Sequence, residues 1–523
     1  MADRSPGRGD AQISLGLAQQ EAGDWKVALR HFRRAAEIDP KDATAHLLIG
    51  NALGRLGEWA QAIESYRTAV ALYPRYADAY NNLGIALVRV GLDREAIAAY
   101  GKAIEIEPRH ANAYFNLGKL SARLNELTTA ISLFEMAIVF EPNHAYAYHE
   151  LGAAQEKCGQ LEQAAASYRW SMRLDPTRTV RENLASLLAL MGEPAGIEML
   201  EELVRETPDE PESHWNLGIG LLLHGRFTDG WKEFEWRTEI PRFYKQHHRF
   251  EQPRWQGEPL DGKTILLFGE QGHGDTLQFL RYIPFVAERG GRIVLEVPPL
   301  LRGLLQGFPG VELCIGIGDD KPEFSTYASL MSLPFLLGAE AIPPPIAPLV
   351  PERSRANAWQ SGDLKVGLSW AGSPKNMRDR LRSIPLAHLN PLAVMDGVAF
   401  TSLQMGPMSM ESVESQHSFC FVEDCANLPD FAELAAVVAQ QDLIITVDTA
   451  VAHLAGSMGK PVWILLNNAV DWRWGLHTAL TDWYPNARLF RQNKYADWSG
   501  VVEMVRQELE AIKRNKSTLS LVA

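Results

Sequence analysis

No stretch of the chain comes near the roughly 18 consecutive apolar residues that a membrane-spanning helix needs, so membrane insertion is not expected. The first ten residues, MADRSPGRGD, hold no apolar core, which argues against a secretory leader there. Basic runs are also missing, and the formal charge is −13. Nucleic acid is therefore not an expected partner, because phosphate binding needs clustered Lys and Arg. Cysteine is scarce: Cys158, Cys314, Cys420 and Cys425 are scattered without metal-site spacing. Reduced thiols in a cytoplasmic protein are the simplest account. With 523 residues and 46% apolar content, the chain can bury several cores.

What the sequence has is periodicity. Pro40, Pro74, Pro108, Pro142 and Pro176 stand 34 residues apart, each closing a block that reads roughly L-G-x2-(L/S/Q)-x8-A-x3-(F/Y)-x7-P. Leu15-Gly16, Ile49-Gly50, Leu83-Gly84, Leu117-Gly118 and Leu151-Gly152 share one phase. Ala28, Ala62, Ala96, Ala130 and Ala164 share a second, and Phe32, Tyr66, Tyr100, Phe134 and Tyr168 follow four residues later. Small residues at those phases let helices approach, and the ring four residues on lies on the same helical face and fills the gap. The five blocks, about residues 9 to 178, resemble the tetratricopeptide repeat, which implies a stack of helix pairs. Residues 179 to 208 keep a helical pattern with shortened spacing, and a further block carries Trp215, Leu217-Gly218, Gly230, Phe234, Trp236 and Arg237. These are expected to be divergent or capping repeats, which takes the solenoid to 240.

The texture changes over 241 to 262, where Pro241, Pro253, Gly257, Pro259 and Gly262 punctuate a polar stretch read as a linker. Beyond it, short apolar runs alternate with helical ones: Thr264–Phe268, Arg292–Val297, Val311–Ile315, Lys365–Trp370, Val398–Gln404, Asp442–Val447 and Pro461–Leu466. That alternation predicts parallel, doubly wound sheets. A proline-rich stretch, 342 to 351, divides the runs into a first lobe, 263 to 352, and a second, 363 to 523, ending in a helix. Two Rossmann-like halves would form a ligand-binding cleft between facing strand ends.

Three segments carry candidate chemistry. Gly269-Glu270-Gln271-Gly272-His273-Gly274-Asp275 follows the first strand, its glycines permitting positive φ and close approach. Asp275 is a candidate general base, or else the cap of the next helix, and His273 is a second base or a loop residue. Asp448-Thr449-Ala450-Val451-Ala452-His453-Leu454-Ala455-Gly456 ends a strand and opens a small-residue helix, whose start would bind phosphate. Asp448 would repel phosphate, so it suits an N-cap or an acceptor for sugar hydroxyls. His453 is a ligand contact or a buried structural histidine. Between these segments, Lys375, Arg378, Arg380 and Arg382 follow a glycine-containing turn, a cluster suited to a diphosphate or a solvated charged loop. Gln404, at the end of the next strand, is placed to reach a nucleotide. Asp471-Trp472-Arg473-Trp474 and Trp483-Tyr484 read as core, interlobe wedge or stacking surface.

Together GEQGHGD and DTAVAHLAG…GKPVW resemble the heptosyltransferase-type family nine of bacterial glycosyltransferases over roughly residues 263 to 500. The resemblance implies a two-lobed, metal-independent GT-B fold with no cofactor beyond the nucleotide-sugar donor. It implies that Asp275 is the base, that Asp448 and Thr449 contact donor sugar and phosphates, with Ala450 beside them, and that Arg382 is the family's basic position. Ile384-Pro385 stands where the family has Trp-Pro, and Leu465-Leu466-Asn467-Asn468 stands where it has Leu-Leu-Pro. Similar bacterial proteins fuse tetratricopeptide repeats to such a domain, and some are implicated in glycosylating flagellin. Asn82 and Asn116 share the phase before Leu-Gly, as does Asn216, and asparagine amides at that phase suit the grip of an extended peptide or simply the helix position. The expected fold is an α-solenoid followed by a two-lobed α/β GT-B domain. The expected activity is sugar transfer to a protein acceptor held by the repeats. An inactive scaffold and a transferase acting on lipopolysaccharide or another glycan remain open.

Overall fold

The computed structural model describes residues 6–345, 349, 363–373, 379–406, 417–469, 471–494 and 497–520, with the side chains of 6, 7, 380 and 515–520 outside that description. The expectations for Lys375, Arg378 and the Arg380 side chain, and for part of the proline-rich stretch, fall outside it. The chain divides into two units, Met1–Arg181 and Glu182–Ala523.

In the first unit each block is a helix pair, such as Ala43–Arg55 with Trp59–Leu72 and Ala77–Arg89 with Asp93–Ile106. The repeat's two signature phases meet inside each pair. A Cβ at Gly50 would stand 2.5 Å from the Tyr66 ring, one at Gly84 2.5 Å from Tyr100, and one at Gly16 2.3 Å from Phe32. Glycine therefore recurs because the neighbouring ring occupies the space of a side chain, and a larger residue would cost about 1–3 kcal/mol in overpacking. The alanines at 28, 62, 96, 130 and 164 are fully buried for the same reason. Tight turns join the two helices of a pair, with left-handed backbone at Gly57 and Gly91 (φ 82° and 81°).

The second unit contains helices Pro194–Glu206, Pro211–Leu223 and Phe227–Phe234, followed by two parallel sheets. Among the described residues the first sheet has four strands, β1 (Thr264–Phe268), β2 (Arg292–Val297), β3 (Leu313–Gly316) and β4 (Thr326–Ser329), in the order β3-β2-β1-β4. The second has five, β5 (Leu364–Ser369), β6 (Val398–Ser402), β7 (Leu443–Val447), β8 (Val462–Leu466) and β9 (Ala487–Arg491), in the order β6-β5-β7-β8-β9. β1 therefore lies between β2 and β4, and β5 between β6 and β7, so each sheet has a switch point where a crevice opens at the strand ends. The periodic reading missed β4 and β9. β4 is only Thr-Tyr-Ala-Ser, and β9 alternates with arginine at both ends of an apolar pair, so neither forms an apolar run.

Residues 241–262, read as a linker, are packed. Pro241–His247 is a helix, and Trp255 is buried and donates its backbone N–H to Tyr327 O at 2.9 Å. The preceding helix pair belongs to the same core: Leu222, Leu223, Trp231 and Phe234 cluster with residues from both lobes. Trp231 meets Trp472 edge to face at 5.5 Å and Phe279 at 6.1 Å. The aromatic segment 472–484 is thus core, with Trp474, Trp483 and Tyr484 almost fully buried. Among the described residues, no helix is long and apolar enough to cross a membrane.

Candidate active site

A cleft of about 930 Å³ opens between the two sheets, lined from the first lobe by Gln271 to Asp275 and from the second by Arg382, Asp448 to Ala450 and Arg473. It receives the C-terminal ends of β1, β5, β6 and β7, where each chain leaves its sheet and is free to turn.

The loop after β1 uses its glycines for approach. Its left-handed residue is Gln271, at φ 61°, and Gly269, Gly272 and Gly274 lie outside that region, contrary to the sequence expectation. A Cβ at Gly274 would stand 2.7 Å from the His453 ring and 3.5 Å from Ala450 Cα. Bare backbone here lets helix His273–Phe279 press against helix Ala450–Ser457, which joins the lobes at the floor of the cleft. Asp275 is the third residue of its helix and accepts the Gly272 N–H through Oδ2 at 2.8 Å. The capping role is therefore real, and Oδ1 is engaged separately by Arg473. Burial pushes the Asp275 carboxyl above its ordinary range, and Arg473 opposes that push.

Glu270, in the same loop, is fully buried. It pairs with Arg237 and His247 Nε2, the latter at 2.6 Å, and accepts the Ser329 hydroxyl at 2.5 Å. Burial alone would raise its carboxyl, but Arg237 and His247 outweigh it and hold the group at about 2. The loop that presents Asp275 is thus riveted to the turn after helix Phe227–Phe234. His273 stacks on Phe431 at 5.3 Å, and burial lowers its imidazole below the ordinary range. It is a packing residue at the first position of its helix.

On the second lobe, Thr449 caps helix Ala450–Ser457, its Oγ1 accepting the Val451 N–H at 3.3 Å. Asp448 is not the N-cap. Its carboxyl is pushed up to about 6 by burial and by Asp471, against the pull of Arg382 and Arg473. Near neutral pH such a group can exchange a proton as well as accept hydroxyl hydrogens. Arg382 pairs with Asp379 through Nε at 3.2 Å and stays partly exposed to the cleft. Gly372 makes room for it, since a Cβ there would stand 2.6 Å from Arg382 Nη2. Ile384, the departure from the family's Trp, fills the core of the second lobe.

Two sequence candidates have other work. Gln404 Oε1 accepts from Ser369 Oγ and from the Trp370 and Ala371 N–H groups at 3.1 to 3.2 Å, and its Nε2 donates to Ala371 O. Its amide braces the end of β5, so Gln404 shapes the cleft floor and is not set up as a nucleotide contact. His453 is almost fully buried, bonds Tyr484 Oη through Nδ1 at 2.9 Å and stacks on Trp474. Burial and Arg473 lower it to about 3, so it sits as a neutral structural ring.

Arg473 is the residue that sequence reasoning passed over. Besides Asp275, it reaches Asp471 at 2.7 Å and Gln278 Oε1 at 2.6 Å, and it lies over the Trp472 ring at 4.4 Å. A lone arginine between two tryptophans reads as packing. The available signal was Asp471, two positions before it, in an otherwise aromatic segment.

In the repeats, Asn82 Nδ2 donates to Asn51 Oδ1 and Asn116 Nδ2 donates to Asn81 Oδ1, both at 2.9 Å, while Asn81 Nδ2 donates to Asn82 Oδ1 at 3.1 Å. These amides stitch successive repeats together. That use competes with peptide capture, because a donor spent within the stack must be released before it can grip a chain.

Family models match on both halves. Tetratricopeptide-repeat models match residues 16–57, 50–91, 94–125 and 133–166, and the model described as glycosyltransferase family 9 (heptosyltransferase) matches residues 411–488. The latter span includes Asp448, Thr449 and Arg473, whereas the loop carrying Asp275 lies outside it. Protein FlbA of Caulobacter vibrioides is 30% identical over 317 residues, which are 53% of this chain and 51% of that protein. The chain thus spans about half the length of this curated relative. Among solved structures, MamA is similar over 31% of this chain and 96% of its own, at 27% identity and a TM-score of 0.29. Pseudomonas aeruginosa PilF is similar over 40% of this chain and 96% of its own, at 24% identity and a TM-score of 0.37. The chain carries tetratricopeptide repeats together with a glycosyltransferase family 9 domain.

Proposed function

We propose that the protein is a cytoplasmic glycosyltransferase that moves a sugar from a nucleotide-sugar to a hydroxyl of a protein held by its repeats. The observation that carries this reading is the meeting, in one cleft, of the Asp275 carboxylate from the first lobe with Arg382 and the Thr449 helix start from the second. Asp275 takes the proton of a Ser or Thr hydroxyl as that oxygen bonds to the anomeric carbon. The bond from that carbon to the phosphate oxygen breaks, and the nucleoside diphosphate leaves with the electron pair. Arg382 and the N-terminal end of helix Ala450–Ser457 face the departing charge. Asp448 accepts hydroxyl hydrogens from the donor sugar. These cationic and dipolar groups offset the diphosphate charge without a metal ion, and the nucleotide-sugar is the sole small-molecule requirement.

Flagellin is the acceptor we place first, because the paired motifs of this chain resemble those of repeat-fused transferases implicated in flagellin modification. Intact-mass spectrometry of flagellins and secreted proteins from cells with and without the gene tests both halves of the reading. Sugar-sized mass steps that vanish with the gene are expected. Unchanged protein masses alongside a truncated lipopolysaccharide would move the acceptor to a glycan.

A further inference from the structure

Arg473 stands in the second lobe, yet its guanidinium is shared between lobes. Nη2 meets Asp275 and Nε meets Gln278 in the first, while Nη1 meets Asp471 in its own turn. The planar fork is fixed further by the Trp472 ring beneath it. Trp472 in turn packs on Trp231 and Trp483. A largely enclosed arginine beside a carboxylate that lines a cleft does more than fill space, because leaving the part-buried Asp275 without it would disfavour the charged form.

Resting on the reading of Asp275 as the base, we propose that Arg473 is a positioning residue that reaches across the lobes to keep Asp275 ionised and aimed into the cleft. The groups facing Asp275 support this assignment. From the turn Asp471–Trp474 come Arg473 and Asp471, and from its own loop come Glu270 and His273. Helix Ala450–Ser457, packed against Gly274, contributes the neutral His453, with Asp448 just before it. Of these, Asp471 and Glu270 press Asp275 toward its protonated form along with burial, and Arg473 is the foremost opposing charge. A base held this way is ready to accept a proton only while the two lobes are together, since its partner arrives from the other lobe.

Infrared difference titration of the full chain, without ligand, reads the proposal directly. Wild type minus Asp275→Asn isolates the Asp275 carboxylate band, and the same subtraction is made in an Arg473→Gln background. The midpoint is expected to rise by about one to three pH units without Arg473, the usual reach of an adjacent arginine. Arg473→Lys keeps a charge and should hold the midpoint within about one unit of wild type, which a packing role alone does not predict. Identical midpoints in wild type and Arg473→Gln overturn the proposal. Should Arg473→Gln fail to fold, Asp471→Asn serves instead. It removes a competing carboxylate, so the midpoint should fall, and a midpoint that stays or rises overturns the proposal equally. If complementation with Asp275→Asn leaves acceptor modification intact, the base assignment fails on its own, whatever the titration shows.

Discussion

Arg237→Met removes the partner of a buried carboxylate, Glu270. Arg237 and Glu270 are both fully buried, and the guanidinium also donates to Ser332 Oγ at 2.9 Å. Breaking a buried pair from one side typically costs about 3–5 kcal/mol, because the remaining charge is left without compensation. His247, 2.6 Å from the other oxygen, brings the expectation to the lower end of that range. The sign with pH follows from Glu270, whose folded carboxyl is held down at about 2, below its ordinary value of 4.5. A depressed carboxyl contributes stability that is present above the unfolded value and is lost as pH falls through the folded one. Wild type should therefore lose this contribution between about pH 4.5 and pH 2. In Arg237→Met, His247 is left as the chief group opposing burial and the folded carboxyl moves up, so the penalty should be greatest near pH 7 and shrink toward pH 5. Urea unfolding of both proteins at the two pH values measures this, and adding Glu270→Gln to Arg237→Met should recover part of the loss. A penalty under about 1 kcal/mol, or one independent of pH, would refute the claim that this pair secures the loop, since that is the scale of an exposed pair.

The same geometry sets where the chain can be divided. A fragment covering 182 to 523 should express in soluble form with a cooperative thermal transition, whereas one starting at 242 should aggregate, because it lacks Trp231, Phe234 and Arg237; equal solubility would show that those contacts are dispensable. Asp275→Asn, returned to cells that lack the gene, should leave protein levels unchanged and reduce the sugar-sized mass steps by about 10²-fold, the scale of a lost general base. Full restoration of those steps would remove Asp275 from the mechanism. Arg382→Ala should weaken calorimetric binding of the matching nucleoside diphosphate by more than tenfold, about 1.4 kcal/mol, and an unchanged affinity would leave the Thr449 helix end as the phosphate anchor.

How far the sequence could be read depended on whether the signal was local or assembled from distant parts. Gly84 and Tyr100 lie on neighbouring helices of one block, so the fit of ring against backbone recurs every 34 residues and is visible as a pattern. The strands β1, β5, β7 and β8 are buried on both faces and therefore read as apolar runs. β4 and β9 gave no such runs. Asp275 was legible because its loop follows a strand at once and opens a helix. Its partner was not, because Arg473 lies 198 positions away and its meaning comes entirely from the packing of two lobes. The boundary near 241 misled for a related reason. Proline and glycine mark a change in local geometry, and such a change occurs there, but covalent texture says nothing about which core a tryptophan enters. Trp231 sits in a helix with repeat-like spacing and is nevertheless buried against Phe279 and Trp472. The last helix pair of a helical stack has one face with no further pair to cover it, and here the two-sheet half of the chain covers that face. It follows that the last helix pair transmits any strain in its own packing to Glu270 and hence to the loop of Asp275, so substitutions between 222 and 237 should alter the cleft although none of those residues lines it.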